Sequence, residues 1–268
     1  MRDAREEWYD AKAKIKATIV DVTDAAQRLA ASHLCGPTSA YFLTEALAAV
    51  ALLGEEAHEP DETVILQMTC SGPLGGLTVE CTSAGTLRGY TNVKILEDFD
   101  GLGRPDARKV LGARQIQVTR SVPGRILAQG VATTLGGYLT QSLQRQAEIR
   151  VEAAVSDEVE ILEARGLLVE ALPDAGLPPS AQLMPHSLSL NVSSRNLLKK
   201  LSLEHAELKS TVPLSFACRC SAERAAAMLA ALGDDERKDL PPRVDVTCHM
   251  CGKTWTVETR GAETTKEG

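Results

Sequence analysis

Seven cysteines stand in this 268-residue chain, and four fall in two close pairs near its end: Cys218-Arg219-Cys220 and Cys248-His249-Met250-Cys251. Residues 221–247 separate the pairs, so the pattern is C-x-C-x27-C-x-x-C. Four thiolates in two close pairs surround one ion tetrahedrally, and soft sulfur donors select zinc among the common intracellular metals. The expected ligand set is Cys218, Cys220, Cys248 and Cys251 around one Zn2+. The C-x-C half is the less usual of the two, and the specificity lies in having both. Four sulfurs close the coordination shell, whereas a catalytic zinc keeps an open position. His249 is expected to be an exposed loop histidine rather than a ligand. The other histidines are dispersed and no Asp/His/Ser grouping stands out, so no catalytic residue is assigned and the chain is read as a non-enzyme.

A closed sulfur site is either a purely structural staple or a redox sensor. Zinc-bound sulfurs are deprotonated, so an oxidant that reaches them drives sulfenic acid and then disulfide formation. A C-x-x-C disulfide closes easily, while a C-x-C disulfide closes a tight ring and is strained, which makes it labile or regulatory. Oxidation would eject the metal and remove most of the stability of the segment around it.

The elements that must position the cysteines are legible in part. Ser221 is expected to cap a helix over 222–232 closed by Gly233. Residues 234–238 with Pro241-Pro242 form a return loop, and 243–247 extends toward the second pair. The stretch from Leu214 to Arg260 has very few large apolar side chains. Units near or below about 40 residues usually need a metal or disulfides to stand alone. Without metal it should unfold. Upstream, Pro173, Gly176, Pro178 and Pro179 break the pattern and mark a boundary. Residues 193–209 carry helical periodicity (Leu197, Leu198, Leu201, Leu208). The leucine-rich 183–212 region lacks a self-sufficient core and is expected to lean on the cysteine module.

The first 172 residues read as an α+β unit on a mainly antiparallel sheet. A helix is predicted over 24–34 with Thr23 or Asp24 as N-cap. A second opens at Pro37, is closed by Gly54, and buries Ala46, Leu47, Val50 and Leu53 on one face. From Thr63 the period becomes two, and Val64, Leu66, Met68 and Cys70, then Leu77, Val79 and Cys81, then 86–90 form a meander with Gly and Pro at its corners. Its glycine-rich turn joins two strands, so phosphate binding is not expected. Asp98–Pro105 is expected to be a solvated loop without the spacing of a calcium site. Short strands are predicted at 116–118 and 126–128, a short helix or irregular segment at 135–143, and further strands from 149 to 172. The expected division is a core domain 1–172, a linker 173–213 and a zinc-binding redox-switch domain 214–268, the linker helical.

Composition narrows the function class. The net charge is −7, and seven basic residues against seven acidic ones leave 214–260 neutral, a poor footprint for nucleic acid. No apolar run reaches the roughly 18 residues of a membrane span, and the charged N-terminus has no secretory h-region. A cytoplasmic setting without membrane or nucleic-acid partners is expected. Aromatics are only 3%, so aliphatic side chains must build the core, with Cys70 and Cys81 read as core residues.

Cys218-Arg219-Cys220-Ser221-Ala222-Glu223-Arg224, Leu232-Gly233 and Val246-Thr247-Cys248-His249-Met250-Cys251 resemble the C-terminal signature of the heat-shock protein 33 family. Gly72-Pro73-Leu74, Gly85-Thr86-Leu87-Arg88-Gly89-Tyr90 and the helix around Glu45-Ala46-Leu47-Ala48-Ala49 are similar to its first domain. Trp255 stands where that family usually has tyrosine, and Gln141-Ser142-Leu143-Gln144 replaces its Gln-Ser-Glu-Gln. The resemblance implies an ATP-independent holdase chaperone, inactive when reduced and zinc-bound. It implies disulfides Cys218–Cys220 and Cys248–Cys251 on oxidation, zinc release, a homodimer, and unfolded client proteins as partners. The competing readings are a zinc-stabilised nucleic-acid-binding or structural interaction module without redox switching, and an enzyme on the α+β unit to which no residues can be assigned.

Overall fold

The computed structural model describes residues 3–178, 181–238 and 240–259. Pro179, Asp239 and the chain from Arg260 onward, to which the sequence reading assigned a break, a charge and a module end, lie outside the described residues. The elements in chain order are β1 (Ala4–Asp10), β2 (Ile15–Asp21), α1 (Thr23–Ser32), α2 (Pro37–Leu53), β3 (Thr63–Cys70), β4 (Gly76–Thr82) and β5 (Thr86–Thr91). Then come α3 (Ala107–Leu111), β6 (Arg114–Val122), β7 (Arg125–Ala132), α4 (Leu135–Gly137) running into a π-turn (Tyr138–Ser142), β8 (Gln146–Val155) and β9 (Ile161–Ala171). The last third holds α5 (Ser194–Lys200), β10 (Glu207–Pro213), β11 (Ser215–Phe216), α6 (Ala222–Ala230), α7 (Asp234–Lys238), β12 (Arg243–Thr247) and β13 (Thr254–Glu258).

Helices and mainly antiparallel sheets make this an α+β fold, as expected. One five-stranded sheet runs β10-β1-β2-β9-β8 and a six-stranded sheet runs β11-β5-β4-β3-β6-β7. Every pairing in them is antiparallel except the short parallel contact of β11 with β5. Helix α2 lies between the two sheets, touching β2, β8 and β9 on one side and β3, β4 and β5 on the other. That placement corrects the one-faced reading: 15 of its 17 residues are buried, not a single stripe. The expectation that no apolar run reaches membrane length is also overturned. Residues Pro37–Glu56 reach the length and hydropathy of a membrane span, and 89% of the 18-residue apolar window within them is buried inside the fold. Pro37 opens the helix and Gly54 closes it, as expected.

Other departures have local causes. Helix α1 starts at Thr23 itself, whose hydroxyl donates to Asp21 Oδ1 (2.7 Å) and accepts from the Ala164 amide (3.2 Å) instead of capping its own helix. It ends at Ser32, and Leu34 is exposed in a left-handed conformation (φ 53°). The 98–105 loop is not merely solvated. The Asp100 carboxylate accepts from the Thr38 and Leu96 amides, both at 2.9 Å, and so serves as a remote cap for α2. Gly36 permits that approach, since a Cβ there would lie 2.3 Å from Asp100 Oδ2. Strands β1 and β2 were not foreseen. Their sheet is covered on both faces, and charged residues such as Arg5, buried with Nη1 on Ala51 O (3.2 Å), mask the alternation.

The leucine-rich region leans on the five-stranded sheet, not on the cysteine module. Met184, Leu188, Leu190, Leu197, Leu198, Leu203 and Ala206 pack with Trp8, Ala17, Leu167 and Val169 of β1, β2 and β9. Its irregular backbone is held by side chains of the sheet. Glu148 accepts from the Leu183 and Met184 amides, Glu152 from Leu190, and Arg165 donates to the carbonyls of Leu190 and Val192. The helix expected over 193–209 is only α5. Ser202 adopts φ 59°, the chain turns, and Leu208 pairs opposite Trp8 as part of β10. Strand pairing with β1 has overridden helical spacing. In the last segment α6 stops at Ala230 rather than Leu232, the return loop contains α7, and β13 pairs with β12.

Leu198 is 2% exposed in the layer over the five-stranded sheet. Leu198→Ala should cost about 2–5 kcal/mol of the stability of that layer. Limited proteolysis should therefore cut 183–206 faster in the variant, while the α2 core keeps its protection.

Candidate metal centre

Two unrelated stretches bring the sulfurs together. Cys218 and Cys220 follow β11, which is fixed to the six-stranded sheet by its pairing with β5 and by the Ala217 amide on Leu87 O (3.1 Å). Immediately after them, Ser221 Oγ accepts from the Arg224 amide (3.2 Å) and starts α6, as the sequence predicts. Cys248 and Cys251 sit in the turn between β12 and β13. The amides of Cys251 and Gly252 both point at Cys248 O (3.3 and 2.8 Å), and the Cys248 amide donates to Lys253 O (2.9 Å). Gly252 has φ 70°, and a Cβ there would lie 2.2 Å from Ser32 O, so only glycine closes this turn against α1.

The four Sγ atoms all lie within 4.8 Å of one another. Cys218 and Cys248 are 3.8 Å apart, and Cys220 and Cys251 are 3.4 Å apart. A regular tetrahedron with metal–sulfur bonds of ~2.3 Å has sulfur–sulfur edges of about 3.8 Å. The donors and their separations therefore suit one soft divalent ion. Among the described residues this is the single cluster of cysteine, histidine and acidic side chains close enough to do so. His249 is exposed, its ring edge-on to Tyr90, and it is not in the cluster, in line with the sequence reading. Cys35 and Cys81 are buried and Cys70 half-buried away from it, and burial pushes all three thiols up, Cys81 to about 11.

The electrostatics within the cluster are uneven. Burial works against a Cys218 thiolate, but the Arg88 guanidinium and the Cys220 amide overcome it and hold that thiol down at about 7. Arg88 Nη1 donates to Cys218 Sγ at 3.4 Å. Burial pushes Cys248 and Cys251 up, and the Cys218 sulfur adds to the effect on both. Four thiols this close resist shared ionisation, and a bound cation reverses that, because a coordinating thiol is deprotonated outright.

Around the sulfurs the cysteine module docks on β5 and α1. The Gly89 amide donates to Met250 O (3.1 Å), and His33 Nε2 lies 2.8 Å from Gly89 O. Burial and the Lys94 charge lower the His33 pKa. Arg219 reaches Glu80 Oε1 at 3.2 Å. None of Arg88, Glu80 or His33 was singled out for the site from sequence. Arg88 precedes Cys218 by 130 residues and the other two lie further back, and no spacing rule spans that distance.

The comparisons bear on the same residues. The family model for "Hsp33 protein" matches residues 6–258. The chain belongs to the Hsp33 family. A "33 kDa chaperonin" of Thermus thermophilus is 27% identical over 276 residues, covering 90% of this chain and 80% of that protein. The one from Geobacillus sp. WCH70 is 25% identical, covering 92% and 90%. The crystal structure of the Hsp33 homologue from Thermotoga maritima superposes with a TM-score of 0.83 over 97% of this chain and 96% of that one, at 18% identity, which establishes the shared fold. Hsp33 proteins are chaperones, and the four-cysteine cluster of this member can hold a metal ion.

Elemental analysis of the reduced protein should find one metal ion per chain. Cys248→Ser should weaken binding by more than the ~10–100-fold typical of losing an outer-shell partner. Full metal retention by that variant would remove Cys248 from the ligand set.

Proposed function

We propose that this Hsp33 protein is a redox-regulated, ATP-independent holdase of the cytoplasm, with Zn2+ held by Cys218, Cys220, Cys248 and Cys251 in its resting form. The observation that carries this reading is the pairing of a closed sulfur cluster with a nearly coreless module. From Cys218 onward, Ala225, Cys251 and Val257 are the buried hydrophobic residues among those described. Structural zinc supplies apparent binding energy of about 10–16 kcal/mol at neutral pH, and in such a unit that is folding energy. The zinc-binding switch is assigned to 214–268, the linker to 173–213 and the core to 1–172.

The chemistry balances with peroxide as oxidant. Four zinc-bound thiolates and two molecules of hydrogen peroxide give two disulfides, one free Zn2+ and four hydroxide ions. Each disulfide forms as one thiolate is oxidised to sulfenic acid and its neighbour displaces hydroxide. The assigned pairs are Cys218–Cys220 and Cys248–Cys251, the partners nearest in sequence.

Loss of the metal leaves 218–258 without support, and only Leu214 to Ala217 separate it from β10. Strand β10 is the outermost strand of its sheet, and the segment before it is tied mainly by side chains rather than by a backbone ladder. In this reading, unfolding spreads from the module through β10 into the linker. It uncovers Trp8, Ala17, Leu167 and Val169 together with the linker leucines. An apolar face of this kind marks an interaction site for unfolded proteins, and it also offers a surface for the oxidised homodimer.

Peroxide together with mild heat should remove four thiols per chain, release zinc and switch on suppression of client aggregation, and a reductant should reverse all three. A protein that keeps its zinc under this treatment, or that suppresses aggregation equally when reduced, contradicts the reading.

A further inference from the structure

Beside the sulfur cluster lies a small group of charges, two of them largely buried. Glu80 on β4 and Arg88 on β5 are direct cross-strand partners, and Arg88 Nε donates to Glu80 Oε1. The same oxygen accepts from Nη2 of Arg219, the residue between Cys218 and Cys220, at 3.2 Å. The other end of the Arg88 fork meets Cys218 Sγ at 3.4 Å. The Glu80 and Arg88 side chains are only 8% and 16% exposed. Two guanidinium groups and one carboxylate carry a net charge of +1, and this triad is turned toward the sulfurs. Four thiolates around a dication carry −2. In a partly dehydrated setting such an attraction is far stronger than at the surface.

Several other docking contacts are of another kind. The Gly89–Met250 and Ala217–Leu87 bonds and the β11–β5 pairing join neutral backbone groups, whose strength does not depend on the charge of the cluster. Once two peroxide molecules have taken four electrons and the sulfurs have become two uncharged disulfides, Arg88 faces no anion across the interface. Arg88 keeps Glu80 on its own side, but its Nη1 end loses a charged acceptor in a largely dehydrated place, which is unfavourable. Resting on the redox reading above, we propose that the Arg88–Glu80–Arg219 triad couples the charge of the sulfur cluster to docking of the cysteine module on β5. These are positioning residues. They hold the module most firmly while the cluster is anionic, and once the cluster is neutral only the Arg219–Glu80 bridge of the triad still crosses the interface.

The test uses the full-length, reduced, zinc-loaded protein, so it involves no oxidation and its outcome is separate from that of the peroxide experiment. Hydrogen exchange is read at the Gly89 and Ala217 amides, which exist as docking bonds, and zinc transfer is followed with a colorimetric chelator. Arg88→Met should speed exchange at both amides by at least about tenfold, the consequence of deleting a buried charge partner. It should also speed zinc transfer while leaving the β3–β4 ladder amides unchanged. Arg88→Lys keeps the charge without the fork and should stay within about threefold of the parent. Parent-like exchange in Arg88→Met, or equal loosening in Arg88→Met and Arg88→Lys, overturns the proposal. If Arg88→Met does not fold, Arg219→Met at the half-exposed end of the triad replaces it. There about threefold faster exchange supports the coupling, and no change overturns it.

Discussion

Four cysteine sulfurs converge from two chain segments that have little other reason to meet. Around them, burial and the Cys218 sulfur push Cys248 and Cys251 away from ionisation, while Arg88 draws Cys218 toward it. A soft dication, which the cluster can hold, would resolve that conflict for all four together. Among the described residues, the hairpin β12–β13, helix α6 and the loop between them contribute few buried side chains, and the sulfur cluster is where their two ends meet. Helix α2, enclosed between two sheets, gives the first unit a continuous aliphatic core despite its few aromatic residues.

The cysteine segment is joined to the rest of the chain through β11 and the edge strand β10, which follow a layer of leucines on the five-stranded sheet. That layer covers an apolar face, yet its backbone is satisfied largely by Glu148, Arg150, Glu152 and Arg165, whose side chains reach out from β8 and β9. Such bonds specify where the layer lies without building it into a ladder. They also place the sequence of events in the proposed switch. The cysteine module does not hold the leucines down by contact, so its influence must pass along the chain through β11 and β10.

The sequence carried the site more clearly than the frame around it. Each cysteine pair is a local pattern whose residue type names a soft-metal donor, and the structure brings those four sulfurs together. Pro37 and Gly54 bracket α2, and the Gly and Pro corners of 71–85 mark the meander, because each reflects a backbone constraint that acts within a few residues. What stayed hidden depends on distant partners. Strands β1 and β2 do not alternate because both faces of their sheet are covered. Leu197 to Leu208 is spaced like one helix, yet it divides into α5 and β10 once β1 offers a free edge. Arg88 and Glu80 read as ordinary strand residues until β11 lays Cys218 beside them.

The proposed dependence of the last segment on a bound metal is open to direct measurement. Zinc is removed by chelation under reducing conditions, and amide exchange is followed residue by residue along the chain. Residues 218–258 should then exchange at rates close to those of an unfolded chain, while α2 and the β3–β4 ladder keep their protection. Native-like protection of β12, β13 and α6 in the metal-free, reduced protein would contradict the account.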